Sequence, residues 1–312
     1  MLTSGFELVG SSPKFKKALE FADNVSVTKT PALVVGEHGT GKRTLCRFIH
    51  NASSRRNGPF NVVDCSSDPK KVENEILGYR EADGKFVRGV LERSNSGTVV
   101  FANIDGIDEV FQKRLITIIQ ELTDYDLDIR ILATTTKNLS KYVGAGRFHR
   151  SLYMYFANTQ ISLSPLRERT GDIYELANYY LSKFAGENGI ETLNFSNEAI
   201  DKLASHYWAN NISELRSVIE SAALTAEESV VDASAIEFGE KRVESASYEE
   251  SEDGIRLMSL KEAEKLLIKK ALVHTSENRT QAAKILGVSI RTLRNKINEY
   301  RHDGNSYFVN LR

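Results

Sequence analysis

Cysteine is almost missing from this chain. Cys46 and Cys65 are the only two among 312 residues, with neither the number nor the spacing for a disulfide framework or a zinc site. No side-chain metal site is therefore expected, and a reducing cytoplasm suits the thiols. Also missing is any apolar run near the roughly 20 residues needed to cross a bilayer. The first residues lack a basic stretch followed by an apolar one, so neither a membrane span nor a secretory leader is expected. Proline is scarce, at five residues, while 41% of the chain is hydrophobic and 27% charged, which excludes wholesale disorder. The length predicts about two domains.

A net excess of charge is missing too, since the formal total is only −1. The balance is uneven, however. Residues 259–302 hold ten Lys and Arg against four acids, while residues 240–254 hold six acids, Glu240 to Asp253, against Lys241 and Arg242. A basic small domain behind an acidic linker points to a polyanion partner, although charge alone also fits a solvated helical face.

What is present begins with an amphipathic helix over 13–29, in which Phe15, Ala18, Leu19, Ala22 and Val25 recur near helical spacing. The buried strand Ala32-Leu33-Val34-Val35 follows. Directly after it stands Gly36-Glu37-His38-Gly39-Thr40-Gly41-Lys42-Arg43, then a helix from Thr44 to about Ala52. Strand, glycine loop and helix in that order open a βαβ unit. Further strand-like runs at 60–63, 98–102 and 129–134 alternate with helices such as 110–122, which predicts a parallel α/β sheet. From 172 to 225 the strand signal disappears, leaving helices over 172–187, 197–205 and 212–226. Residues 239–258, rich in Glu, Ser and Lys, read as a linker. Ser259 with Glu262 has the capping-box pattern for the next helix.

The glycine loop matches G-x-x-x-x-G-K. Its glycines let backbone N–H groups turn toward phosphate oxygens and Lys42 brings charge to the β and γ phosphates, so Gly36 to Lys42, with Arg43 and Thr44, are the candidate nucleotide ligands. The bland alternative is a structural glycine turn. Where many such loops place a Ser or Thr on magnesium, this one has Arg43.

Near the other end, Ala282, Ala283 and Leu286 give one helix a small face, Gly287 permits a left-handed helix end, and Ser289 caps a second helix. There Leu293 and Ile297 face inward. Arg279, Thr280, Gln281, Ser289, Arg291, Thr292, Arg294, Asn295 and Lys296 are left as candidate contacts to a major groove and its phosphates, with a plain helical hairpin as the alternative. In the preceding helix, 260–274, Leu260, Ala263, Leu267 and Ala271 lie near one face, which would pack the domain and help pair two copies.

Four segments in fixed order carry a family likeness: Gly36 to Lys42, Glu73-Asn74-Glu75-Ile76-Leu77-Gly78, Ser164-Pro165-Leu166-Arg167-Glu168-Arg169, and Asn211-Ile212-Ser213-Glu214-Leu215. Over nearly its whole length the chain resembles the bacterial enhancer-binding proteins, activators of sigma-54 RNA polymerase. The resemblance implies an AAA+ P-loop sheet with a helical lid, followed by an all-α Fis-type helix-turn-helix domain. Its implied boundaries are 1–170, 171–238, a linker at 239–258, and 259–312. It also implies ATP or ADP with room for Mg2+, double-stranded DNA and RNA polymerase holoenzyme as partners, and a homo-oligomer, dimeric or hexameric.

Matched to the family, several working positions are changed. The Asp-Glu pair that orients magnesium and polarises water falls on Ala102-Asn103, with Asp105 two residues further on. The asparagine that responds to the γ-phosphate is Asp64. The two arginine fingers fall on His149 and Tyr155, with Arg147 and Arg150 nearby but about 100° around a helix per residue. The second sensor arginine is Ser213, after Asn210 in place of glycine. The Gly-Ala-Phe-Thr-Gly-Ala loop that contacts sigma-54 is replaced by a shorter segment, Tyr79 to Arg88. The chain starts at the AAA+ module, so no attached receiver is expected. Because catalytic groups act as a unit, these changes predict a nucleotide-binding module that hydrolyses little or nothing. The alternatives are a working ATPase activator, and a site for a cyclic dinucleotide using Arg43 and Arg47.

Overall fold

The computed structural model describes residues 8–81, 83–190, 193–226, 230–238, 264, 267–268, 271–272, 275 and 278–302, and it divides into two compact units, Met1–Glu240 and Lys241–Arg312. In the first unit the chain runs through α1 (Pro13–Ser26), β1 (Ala32–Val35), α2 (Lys42–Asn51), β2 (Phe60–Asp64), α3 (Pro69–Leu77), the hairpin β3 (Gly78–Arg80) and β4 (Phe86–Arg88), and α4 (Val90–Arg93). It continues through β5 (Thr98–Ala102), α5 (Glu109–Gln120), β6 (Arg130–Thr135), α6 (Leu139–Gly144), α7 (Arg150–Ala157) and β7 (Gln160–Ser162).

Five of these strands make one parallel sheet in the order β2-β5-β6-β1-β7. Its two-residue period divides the core. Leu33, Val63, Val99, Phe101, Ile131 and Ala133 face α3, α5 and α7, while Val34, Val100 and Leu132 face α1 and α2. A sheet so covered has its free chemistry at the strand ends, and the register brings Asp64 beside Ala102 and Val35 beside Thr135 on the carboxyl edge.

The lid follows as α8 (Gly171–Asn188), β8 (Asn194–Phe195), α9 (Asn197–Ser205), α10 (Asn211–Leu224) and β9 (Val230–Val231), closed over a second core around the fully buried Trp208. Asp172, at the start of α8 and wholly buried, accepts from Ser11 N (2.8 Å), Ser12 N (2.7 Å) and Ser12 Oγ (2.8 Å). That carboxylate fastens the entry to α1 onto the lid.

Several expectations need correction. α1 ends at Ser26, because Val27 begins the turn into β1. α2 begins at Lys42 rather than Thr44, so the loop's lysine is already helical. β7 is too short, at three residues, to announce itself by alternation. The region expected to be purely helical contains β8, which pairs with β9 across α9 and α10.

In the second unit the described helices are Arg279–Ile285 and Ile290–His302. Ile268, Ala271 and Leu272 form a core with Ala282, Ala283, Leu293, Ile297 and Tyr300. Leu267 is 57% exposed, so the inward stripe of the preceding helix keeps Ala271 as expected and runs through Ile268 and Leu272 in place of Leu267. The expected capping box at Ser259 and Glu262, the positions Leu260 and Ala263, and the linker 239–258 lie outside the described residues.

Trp208 anchors the lid and donates its indole N–H to Leu203 O at 3.0 Å. Trp208→Ala is expected to destabilise the lid by about 3–5 kcal/mol. Chemical denaturation followed by circular dichroism checks this, and a loss below about 1 kcal/mol would contradict a lid built on this side chain.

Candidate functional site

The loop after β1 is a left-handed turn tied down from both ends. Gly39 (φ 74°) and Gly41 (φ 98°) adopt a conformation that costs side-chain-bearing residues strain, and Gly41 caps α2. The amides that open α2 have no intrahelical partner, so the loop presents donors and the positive end of a helix dipole. Lys42 is 8% exposed, and its Nζ donates to Gly36 O and Glu37 O, both at 2.8 Å. Burial lowers its pKa, and the Asp105 carboxylate pulls the other way.

The lid holds the outer side of this loop. Arg167 grips Glu37 through two hydrogen bonds (2.6 and 2.5 Å). Asn211, fully buried, donates to His38 O at 2.8 Å and accepts from Leu166 N at 2.7 Å, while Ile212 N donates to Gly39 O at 2.9 Å. Arg169 donates to Thr40 O at 3.0 Å. A Cβ on Gly39 would stand 2.1 Å from Asn210 O, so glycine is required for this approach.

Two clefts flank the loop. One, of about 400 Å³, is lined by His38, Gly39, Gly41, Lys42, Arg43, Thr44, Asp64, Asn103, Thr134 and Ser213. The other, of about 210 Å³, is mixed, with Val9, Phe15, Leu163, Leu176 and Ile212 beside Thr40, Thr44, Arg169, Tyr180 and Arg216. Arg169 is 3% exposed, and its Nε and Nη1 have no hydrogen-bond partner within the protein. A polar cleft at a helix N-terminus next to one that combines apolar side chains with buried donors has the chemistry for a phosphate chain carrying a flat heterocycle.

The positions expected to be degenerate divide into two groups. Asp64, Asn103 and Ser213 line the phosphate cleft, and Ala102 sits beside Asp64 at the strand ends. Asn103, in a left-handed conformation, donates from Nδ2 to Asp64 Oδ1 at 3.0 Å. Arg43 Nη2 lies 2.5 Å from Asp64 Oδ2. Burial works against the Asp64 charge, but hydrogen bonds from Ser66, Asn103 and Arg43 outweigh it and lower the pKa. Asp105 accepts from the Thr135 hydroxyl at 2.5 Å. His149 and Tyr155 are away from this cleft: the His149 amide donates to Gln112 Oε1 at 2.7 Å, and burial pushes the Tyr155 hydroxyl up to about 12. Arg147 and Arg150 are exposed, and Arg47 lies over the Phe60 ring, 3.7 Å from its centre.

In the second unit, Gly287 takes φ 68° and Ser289 Oγ accepts from Thr292 N at 3.0 Å, which turns and starts the second helix. Leu293 and Ile297 are buried, while Arg291, Thr292, Arg294 and Asn295 are exposed together. Lys296 is bound to Glu264 at 3.0 Å. Asn278, unnoticed in the sequence, caps the first helix by accepting from Thr280 N and Gln281 N. Thr280 and Gln281 are exposed and Arg279 is half-buried.

Three family descriptions match in order: the sigma-54 interaction domain over residues 8–162, the AAA+ ATPase lid domain over 167–252, and the bacterial regulatory protein, Fis family, over 259–300. Transcriptional regulatory protein FlbD of Caulobacter vibrioides is 31% identical, across 95% of this chain and 71% of its own length. Regulatory protein AtoC of Escherichia coli is 30% identical, across 95% and 68%. The chain belongs to the sigma-54 interaction domain family of transcription regulators. It spans 60% of the nitrogen fixation protein VnfA of Azotobacter vinelandii, at 30% identity. The crystal structure of NtrX from Brucella abortus with ADP superposes with a TM-score of 0.68 at 22% identity, over 95% of this chain and 69% of that one, a likeness of fold.

Within that family frame, Arg167 and Asn211 belong to segments legible as motifs, yet their work of holding the phosphate loop was not. The Arg167 hydrogen bonds chiefly hold Glu37 below its ordinary pKa of 4.5, against burial and helped by Asn211. A depressed carboxylate contributes stability above the ordinary pKa and loses it as pH falls through the folded value. Glu37→Gln is therefore expected to lower stability by a constant amount at neutral pH, with the gap from wild type closing below about pH 4.5. Thermal melts of both proteins at stepped pH test this. A gap that widens on acidification would have the wrong sign.

Proposed function

We propose that this chain is a sequence-specific DNA-binding transcription regulator whose AAA+ module binds ATP or ADP and hydrolyses it slowly or not at all. The observation that carries the reading is Ala102-Asn103 at the carboxyl end of β5, where neither residue is a carboxylate that could orient an attacking water and the Asn103 amide is bound to Asp64. Lys42 and the amides at the start of α2 hold the phosphates, and the cleft with Arg169 takes the base. Nucleotide then acts by changing how the lid, fastened at Glu37 and Gly39, sits on the loop. The exposed Arg291, Thr292, Arg294 and Asn295 enter a major groove, with paired copies matching two half-sites about one helical turn apart.

Contact with RNA polymerase holoenzyme follows from the family. Remodelling of the sigma-54 form lacks a carrier, because the segment between Gly78 and Gly89 is a short hairpin, β3 and β4, exposing Tyr79 and Phe86. The second reading is an ATP-hydrolysing sigma-54-dependent activator. It is favoured by Asp105, whose charge reaches Lys42.

An ATP hydrolysis assay on the full chain separates the two. The expected result is binding of ATP that Lys42→Ala weakens by tenfold or more, with turnover near background. Robust turnover abolished by Lys42→Ala and by Asp105→Asn would overturn the first reading in favour of the second. For the DNA reader, Arg294→Ala and Asn295→Ala are each expected to weaken binding to the selected site by about tenfold or more with smaller loss on random duplex. Equal loss on both duplexes would reduce these residues to phosphate contacts.

A further inference from the structure

The groups around the phosphate cleft stand where a P-loop protein holds a divalent cation, and they do not suit one. The position after Lys42, which in many such loops supplies a metal-bound hydroxyl, is Arg43. The end of β5 offers Ala102 and the amide of Asn103. The carboxylate that does line the cleft, Asp64, already accepts four hydrogen bonds: Oδ1 from Ser66 Oγ (2.7 Å), Ser66 N (3.2 Å) and Asn103 Nδ2 (3.0 Å), and Oδ2 from Arg43 Nη2 (2.5 Å). A cation arriving there would have to displace a guanidinium and then remain beside it. The Asp105 carboxylate is bound to Thr135, and among the described residues no three His, Cys, Asp or Glu side chains gather to hold a metal.

We propose that this cleft binds a nucleoside polyphosphate without a divalent cation, with Arg43 supplying the positive charge that magnesium brings elsewhere. The inference rests on the nucleotide-binding reading above. A guanidinium is a planar fork with five donors, so one edge can stay on Asp64 while another meets phosphate oxygens. Arg43 lines the cleft and its side chain is 55% exposed, which leaves room for that second edge. Asp64 then has a clear job. It aims Arg43, and its own charge, balanced by the guanidinium and held by a hydrogen bond from Asn103, does not repel the ligand. An ion pair replaces the usual carboxylate and metal.

Isothermal titration of the full chain with ADP and with ATP, in EDTA and in magnesium, tests this. Affinity in EDTA should lie within about threefold of that in magnesium, less than loss of one charge-assisted contact gives. Arg43→Ala should weaken binding in EDTA about tenfold or more, and adding Asp64→Asn should recover part of the loss by removing an uncompensated carboxylate. Both side chains are substantially exposed, so the variants should melt close to the wild type, which a thermal scan verifies. Binding that requires magnesium overturns the inference while leaving nucleotide binding intact. Undiminished binding by Arg43→Ala in EDTA overturns the role given to Arg43. No binding under either condition overturns the underlying nucleotide reading itself.

Discussion

The arrangement depends on how the backbone of one loop, Gly36 to Gly41, is held. A loop that offers N–H groups to an anion must turn its carbonyls elsewhere, and each needs a donor. Here the donors come from two directions. Lys42 takes the carbonyls of Gly36 and Glu37 from inside, while Asn211, Ile212 and Arg169 take those of His38, Gly39 and Thr40 from the lid. The lid is thus part of the phosphate loop's own hydrogen bonding. This explains why a wholly buried asparagine in a left-handed conformation begins α10.

From this follows the logic of the carboxyl edge. Asp64 and Ala102 are register partners, so the carboxylate at this edge stands on β2, one strand spacing from Ala102. A phosphate in the cleft would meet that acid unless it were neutralised. Arg43 neutralises it from the helix after the loop, and Asn103 adds a hydrogen bond from the end of β5. Asp64 is bound to both Arg43 and Asn103, so the three side chains form one connected set at this edge.

Much of this was legible beforehand because the signals were local. Ala32–Val35 before a glycine loop gives strand, turn and helix from three adjacent patterns, and Gly287 followed by Ser289 gives a helix end and a helix start. The remainder was hidden for a common reason: it depends on contacts distant in sequence. Arg167 meets Glu37 across the fold, β7 joins the sheet only because β1 lies beside it, and β8 finds β9 across two helices. The preceding helix of the second unit shows a subtler limit. Leu267 and Ile268 are equally apolar neighbours, and only the partner surface, with Tyr300 and Ile297, decides that Ile268 turns inward.

The second unit, like the first, ties charged side chains between elements. Lys296 and Tyr300 both bind Glu264, which fastens Ile290–His302 to the residues before it. Lys296 therefore contributes to the rigidity of the presented face more than to its reach. The side chains one turn earlier, Arg291, Thr292, Arg294 and Asn295, are exposed along the start of a helix whose first turn is fixed by Ser289. A reader of base edges needs such a combination, because side chains on a frayed helix would lose in ordering entropy what they gain in hydrogen bonds.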